Sequence, residues 1–158
     1  MDAPVELIVG LGNPGPNYER TRHNVGADLV LELAKSLHAE LKYESKFFGD
    51  TARVSIAGRD VRLLIPSTFM NLSGKSVAAM ARFYQIAPEN ILVVHDELDM
   101  DPGTVRFKKG GGHGGHNGLR NIQDTLQSGD YPRMRFGIGS QFNKHQQIDF
   151  VLGKWKAE

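Results

Sequence analysis

The sequence predicts an α/β fold, with a single domain built on a mixed central β-sheet that is flanked by helices. Apolar segments of strand length alternate along the chain with segments in which apolar residues recur at helical spacing. Two alternating segments, 51–57 and 61–65, are separated by a turn, which indicates an antiparallel hairpin. The run at 91–94 is apolar throughout, as expected of a central strand covered on both faces. Such a combination favours one sheet with both parallel and antiparallel pairs.

The first half of the chain predicts one helix among several strands. The helix spans residues 25–37, whose apolar side chains cluster on one face. The turn of the hairpin is at 58–60, and Pro66 ends its second arm. The predicted strand regions are 7–11, a region opening at Phe47-Phe48, 51–57 and 61–65.

The second half predicts two helices and further strands around a glycine-rich loop. Thr68 or Ser73 can cap the first of these helices, which ends before Pro88. The glycine loop, residues 110–115, contains five glycines and cannot form a helix or the interior of a stable strand. The inward positions of the two helices are Val77, Met80, Ala81 and Tyr84, and then Leu119, Ile122 and Leu126. The remaining strand regions are 91–94, 105–108 and 134–138, with a last apolar patch at 150–152.

Composition narrows the function classes. The chain has 158 residues and no cysteine, which excludes disulfides and thiolate metal sites. We expect no signal peptide and no membrane span, because the chain has neither a basic flank with a long apolar stretch nor an apolar run of about 18 residues. The net charge is +1, so a site for a polyanion has to be a local basic patch.

The loop that follows the first strand contains the main catalytic candidates. In open α/β sheets, ligand sites gather beyond the carboxyl ends of the strands, and Asn13 and His23 lie there. Without a cysteine or a G-x-S-x-G elbow, a hydrolase would most simply use water, and water needs a base. We predict that His23 is that base and that Asp96, at the end of a central strand, orients its ring.

Three other motifs suggest functions that the spacing does not support. Residues 10–15 match G-x-G-x-x-G, but prolines follow where a helix should begin, and the expected acid about 20 residues on is missing. The stretch at 74–76 resembles the end of a P-loop without its first glycine. His95, Asp96, His113 and His116 could suggest a metal, yet a loop facing solvent or RNA is favoured and no metal is expected.

Basic residues gather around the glycine loop and the late strand. They are Arg106, Lys108, Lys109, Arg133 and Arg135. Glycine amides with lysine and arginine can cradle phosphate, and a solvated basic face explains the same pattern equally well. Arg135 is predicted to point away from the face that Met134 and Phe136 share.

Five segments in unbroken order resemble bacterial peptidyl-tRNA hydrolase, and the similarity runs from about Leu7 to Gly153. The segments are Leu11-Gly12-Asn13-Pro14-Gly15, Thr21-Arg22-His23-Asn24, Phe69-Met70-Asn71-Leu72-Ser73-Gly74, His95-Asp96-Glu97-Leu98-Asp99 and Gly110-Gly111-Gly112-His113-Gly114-Gly115-His116-Asn117-Gly118-Leu119. The resemblance implies a cofactor-free, cytoplasmic, monomeric esterase of translation that cuts the ester between a peptide and the 3′ ribose of tRNA.

The resemblance also implies roles for individual residues. His23 would be the general base on water and Asp96 its orienting partner. The peptide and the terminal nucleotide would be held by Asn13, Asn71 and Asn117, with Tyr18 lining the same cleft. Lys108 and Arg135 would clamp the 5′ phosphate of the tRNA.

The C-terminus departs from the resemblance, and one alternative function stays open. Members of that family usually continue into a further C-terminal helical region, and we expect that region to be missing or shortened here, since the sequence ends at Glu158. The alternative is a non-catalytic RNA-binding protein on the same scaffold. It would tolerate the loss of His23 but not of Lys108 or Arg135.

Overall fold

A computed structural model describes residues 4–12, 24–97, 100–101 and 104–137. Within these ranges the chain forms seven strands in one sheet and three α-helices. The strands are β1 (Leu7–Gly10), β2 (Lys42–Glu44), β3 (Gly49–Ile56), β4 (Arg59–Pro66), β5 (Ile91–Glu97), β6 (Val105–Lys108) and β7 (Arg133–Gly137). The α-helices are α1 (Val25–Ser36), α2 (Ser73–Tyr84) and α3 (Asn117–Leu126).

The sheet is mixed, as predicted. Its strand order is β2-β3-β4-β1-β5-β7-β6. The strands β4, β1, β5 and β7 run parallel, while β2, β3 and β6 pair antiparallel to their neighbours. The carboxyl ends of β1 and β5 are therefore adjacent at the same edge of the sheet, with Gly10 beside Val94.

Two apolar clusters fill the space between the sheet and the helices. The first contains the buried face of α1, with Val25, Leu29 and Leu33, and residues of β1, β4, β5 and β7. The second contains Val77 and Met80 of α2, Leu119 and Ile122 of α3, and the alternate residues of β1 and β5. The helical spacings seen in the sequence predicted these buried faces correctly.

The hairpin is tighter than predicted, and its neighbourhood contains a strand that the sequence did not indicate. Strand β3 ends at Ile56 and β4 begins at Arg59, so the turn is Ala57-Gly58 and not residues 58–60. Both turn residues have positive φ, 52° and 78°, which matches the twist of two-residue hairpins. Strand β2 is only three residues long at the edge of the sheet, too short for an alternation pattern to reveal.

The predicted strand start at Phe47 and Phe48 was wrong. Phe47 ends a 3₁₀ turn (Ser45–Phe47) and is buried in the second cluster. Phe48 has a φ of 53°, and the strand begins only at Gly49. Two adjacent aromatic residues favour a strand by propensity, but here burial of the first ring and the bend at the second take precedence.

The start of α2 also differs from the sequence prediction. The helix begins at Ser73 without a cap from its own segment, and the Ser73 hydroxyl donates to the carbonyl of Met70 (2.7 Å). An amide in the first turn of the helix is instead capped by a side chain of α3: Gly74 N–H donates to Asn121 Oδ1 (2.6 Å). A local capping rule cannot anticipate a partner 47 residues away.

Candidate active site

The segment 13–23 lies outside the described residues, but both of its ends are fixed at the carboxyl edge of the sheet. On one side, Leu11 N–H donates to the carbonyl of Val94 (3.1 Å). On the other, the amide of Ala27, near the start of α1, donates to the carbonyl of Leu11 (3.0 Å). A Cβ on Gly12 would lie 2.9 Å from Asn24 Oδ1, so the two flanks of the segment touch. The described residues that flank this segment therefore lie beside the end of β5.

Asp96, the carboxylate chosen from the sequence, is buried at this edge with 3% of its surface exposed. Its Oδ1 lies 2.8 Å from Nε2 of His116, which stands immediately before α3. His116 is the N-cap of that helix, and its Nδ1 accepts hydrogen bonds from the amides of Gly118 (3.1 Å) and Leu119 (3.3 Å). An acceptor nitrogen carries no proton, so the proton of the ring is on Nε2 and is donated to Asp96.

This arrangement fixes both the position and the tautomer of His116. The imidazole replaces the usual serine or aspartate of an N-cap and at the same time reaches a buried carboxylate. The sequence pattern favoured a loop facing solvent or RNA for His116, and the structure corrects that interpretation. The available signal was position: a polar residue directly before a helical pattern is a candidate N-cap.

A second histidine, His95, lies beneath this pair and is fully buried. Its ring is 5.0 Å from that of His116 between centroids, and its Nδ1 lies 2.7 Å from the carbonyl of Asp96. Burial, reinforced by the neighbouring His116, lowers the pKa of His95 to about 4. His95 is therefore neutral near pH 7 and donates through Nδ1 to the backbone that carries the carboxylate.

The segments that carry Asn71 and Asn117 meet at one glycine. Asn71 lies in a 3₁₀ turn (Met70–Leu72) before α2, and Asn117 is the first residue of α3. A Cβ on Gly118 would lie 2.8 Å from Met70 Sδ and 3.0 Å from Leu11 Cδ1. Three stretches of chain, from the end of β1, the start of α2 and the start of α3, thus converge at Gly118, where a Cβ would crowd the side chains of Leu11 and Met70.

Both asparagines are exposed, so their amide groups are available to a ligand. The bond between Asn121 and Gly74 N–H ties the two segments together one helical turn away from Asn117. An asparagine presents both a donor and an acceptor, which suits a peptide backbone of any sequence. The structure therefore places two of the predicted amide side chains on neighbouring, mutually fixed segments.

The basic residues form a two-by-two array on β6 and β7. Lys108 lies opposite Arg133 and Arg106 lies opposite Arg135, and His95 of β5 continues the second row. Residues directly opposite each other in a sheet share a face, so four cations lie on one face, away from Met134 and Phe136 as predicted. Like charges in this position repel one another, and a bound anion would relieve the repulsion.

The four cations are not equivalent in accessibility. Arg106 and Lys108 are exposed and Arg135 is half-buried, whereas Arg133 has only 1% of its surface exposed. Arg133 cannot therefore serve as a phosphate ligand at the surface, although the sequence placed it with the others.

A family model described as peptidyl-tRNA hydrolase matches residues 7–158 of the chain. The chain belongs to the peptidyl-tRNA hydrolase family. It is 57% identical to the peptidyl-tRNA hydrolase of Vibrio parahaemolyticus, over 100% of this chain and 81% of that protein. It is 60% identical to the peptidyl-tRNA hydrolase of Shewanella halifaxensis, over 95% of this chain and 78% of that protein.

The fold agrees with a solved member of the family. The crystal structure of peptidyl-tRNA hydrolase from Acinetobacter baumannii superposes with a TM-score of 0.83 at 53% identity, covering 95% of this chain and 76% of that one. The chain is thus a hydrolase with the fold of this family. That conclusion agrees with the resemblance seen in the five sequence segments.

Three predicted site residues, Asn13, Tyr18 and His23, lie outside the described residues, so their roles stay predictions. The described residues contain no cluster of three or more histidine, aspartate, glutamate or cysteine side chains arranged to hold a metal ion. Within the same ranges, no helix is both long enough and apolar enough to cross a bilayer.

Proposed function

We propose that this member of the family hydrolyses the ester between a peptide and the 3′ ribose of tRNA, with His23 as the general base. The observation that supports this most directly is the buried Asp96, held by His116 at the edge where the segment 13–23 begins and ends. His23 immediately precedes Asn24, whose side chain lies beside Gly12 at that edge.

In the proposed reaction, His23 takes a proton from water as the water oxygen attacks the ester carbonyl carbon. Asp96 orients the ring and stabilises the imidazolium that forms. The tetrahedral intermediate then collapses, the ester C–O bond breaks, and the imidazolium returns the proton to the departing ribose oxygen. The products are a peptide with a free carboxyl group and a tRNA with its 3′ terminus restored.

The neighbouring residues complete the proposed site. Asn13, Asn71 and Asn117 hydrogen-bond the peptide backbone and the terminal nucleotide, and Tyr18 lines the same cleft. The convergence of the Asn71 and Asn117 segments at Gly118 supports this assignment. We further propose that the protein acts in the cytoplasm as a monomer.

The test of the base is His23→Ala. We expect the turnover of peptidyl-tRNA to fall about 10²–10⁴-fold, the usual contribution of a positioned base. The matched control is His38→Asn, which removes an exposed imidazole just beyond the far end of α1, at a residue with a φ of 57° that asparagine tolerates. Near-normal turnover in His23→Ala would refute the mechanism and favour an RNA-binding role.

The 5′ phosphate of the tRNA is assigned to Lys108 and Arg135, which belong to the array of cations on β6 and β7. Apparent affinity should fall as salt rises, and Lys108→Met should reduce the slope of log affinity against log salt by about 0.7–0.9. Lys35→Met, at an exposed position of α1, is the control for charge alone. An unchanged slope in Lys108→Met would argue against the clamp.

A further inference from the structure

Arg133 is a buried guanidinium whose partners, among the residues that the structure describes, are backbone carbonyls and not a carboxylate. Its Nη2 donates to the carbonyls of Gly111 (2.7 Å) and Gly129 (3.0 Å), and its Nη1 donates to the carbonyl of Gly112. Burial lowers the pKa of Arg133 from its usual range, but an arginine remains charged at neutral pH. Burying a cation is costly, and hydrogen bonds to several carbonyl oxygens offset part of that cost, so the arrangement needs a structural reason.

The guanidinium lies between the glycine loop and the base of α3. Its other neighbour is the ring of Tyr131, whose centroid is 4.3 Å from Cζ of Arg133. The hydroxyl of Tyr131 donates to the carbonyl of Leu119 in α3 (3.1 Å). Arg133 thus links the loop before α3 to the body of the helix.

The glycine loop is shaped to receive this side chain. Gly111 N–H donates to the carbonyl of Gly129 (3.1 Å), the same oxygen that accepts from Arg133. Gly111 has a φ of 124°, and a Cβ on Gly129 would lie 2.6 Å from the carbonyl oxygen of Gly111. The carbonyls of Gly111 and Gly112 point inward to Arg133. The hydrogen bonds from Arg133 therefore fix the backbone path of the loop.

The two ends of the loop carry functional groups. Lys108 ends β6 on one side, and a Cβ on Gly111 would lie 3.1 Å from its Nζ, so the ammonium group lies over the loop. On the other side, His116 follows the loop and binds Asp96. The conformation of the loop therefore sets the position of Lys108, whereas His116 is held separately by Asp96 and by the amides of α3.

We propose that Arg133 is a positioning residue that holds the glycine loop in one conformation and thereby sets Lys108 for the 5′ phosphate of tRNA. Arg133 touches no substrate itself. The effect on Lys108 rests on the proposed function, whereas the effect on the loop does not.

The experiment compares Arg133→Met and Arg133→Lys with the control Arg59→Met, which removes an exposed arginine at the hairpin turn. Lysine keeps the charge, but its single ammonium group cannot reproduce the planar fork that binds several carbonyls. In the protein without substrate, hydrogen–deuterium exchange of the Gly111 amide should be about tenfold faster in both Arg133 variants. The exchange rates of the α1 amides should not change. This measurement is independent of any substrate.

The kinetic measurement uses peptidyl-tRNA with and without its 5′ phosphate. We expect KM for the phosphorylated substrate to rise about tenfold with kcat within about threefold, and the preference for the phosphate to decrease. A Gly111 amide that exchanges in Arg133→Lys at the wild-type rate would overturn the proposal. Arg133→Lys keeps the charge, so this test remains available if Arg133→Met does not fold. Faster exchange throughout the protein with an unchanged phosphate preference would overturn it as well, since it would show a general contribution to folding. If the Gly111 amide exchanges faster in the Arg133 variants but the wild-type protein does not cleave peptidyl-tRNA, the proposed function is refuted and the role of Arg133 in the loop stands.

Discussion

The two apolar clusters of this protein are built from the same sheet but differ in what borders them. The cluster beneath α1 consists of aliphatic residues, one methionine and one phenylalanine. The cluster beneath α2 and α3 is bordered by buried polar side chains that hydrogen-bond to backbone carbonyls, some within one segment and some between segments far apart in the chain. These are Ser73, Ser76, His95 and Arg133.

The two clusters contribute differently to stability and to function. Apolar burial stabilises without direction, so the cluster beneath α1 serves mainly to hold the sheet. Hydrogen bonds have direction, and those around α2 and α3 fix the segments that carry Asn71, Asn117 and His116. Changes on the two sides should therefore have different consequences.

The largest expected effect compares two leucines truncated to alanine. Leu29→Ala in α1 and Leu119→Ala in α3 each remove a buried side chain, and each should lower the free energy of unfolding by about 3 kcal/mol. Leu29→Ala should keep its kcat/KM at a temperature where it is folded. Leu119→Ala should lose activity as well, because its side chain anchors the first turn of α3 in the core, and the backbone amides of that turn hold His116 in place. Urea unfolding measures the stability and steady-state kinetics measures the activity. Equal losses of activity in both variants would contradict the different roles given to the two clusters.

A smaller effect should appear as a pH dependence of stability on the polar side. The unfolded chain binds a proton at His95 with a pKa of 6.5, but in the folded protein the pKa is about 4. Between these values the unfolded state holds more protons, so the free energy of unfolding falls as pH drops through this window. The contribution of His95 is fully present above pH 6.5, and we expect about 1–3 kcal/mol to be lost near pH 4.

Urea unfolding across this range, in wild type and in His95→Asn, measures the effect. Asparagine can still donate to the carbonyl of Asp96 but does not titrate. The free energy of unfolding of this variant should therefore change less steeply with pH than that of wild type. His38→Asn, which changes an exposed histidine, should keep the slope of the wild type. Identical slopes for His95→Asn and wild type would show that other groups cause the pH dependence.

The smallest effect tests the connection between α2 and α3. Asn121→Ala removes the acceptor for Gly74 N–H and should lower stability by about 1 kcal/mol. Because that bond fixes the segment of Asn71 against that of Asn117, KM should rise about threefold to tenfold. Asn121→Asp retains an acceptor and should restore most of both losses. If the KM of Asn121→Ala equals that of wild type, packing around Gly118 is enough to hold the segments of Asn71 and Asn117 together.

Much of the fold could be predicted because its signals are local. Helical spacing identified the buried faces of all three helices, and alternation identified both arms of the hairpin. The predictions failed where contacts between distant parts of the chain decide the outcome. Phe47 is buried in the second cluster and does not begin a strand, and Asn121 of α3 accepts from the Gly74 amide at the start of α2. The burial of Asp96 agrees with its predicted place at the end of a central strand, while its contact with His116 was not predicted.

The mixed α/β class, the family and the residues proposed for catalysis could all be predicted from the sequence, because spacing and motifs are properties of short stretches of chain. The contact of His116 with Asp96 and the burial of Arg133 beneath the glycine loop could be seen only in the folded protein. The physical reason is that burial and directional hydrogen bonds depend on segments far apart in the chain. The residue type of a cation is the same whether it lies at the surface or beneath a loop, and its surroundings decide what it does.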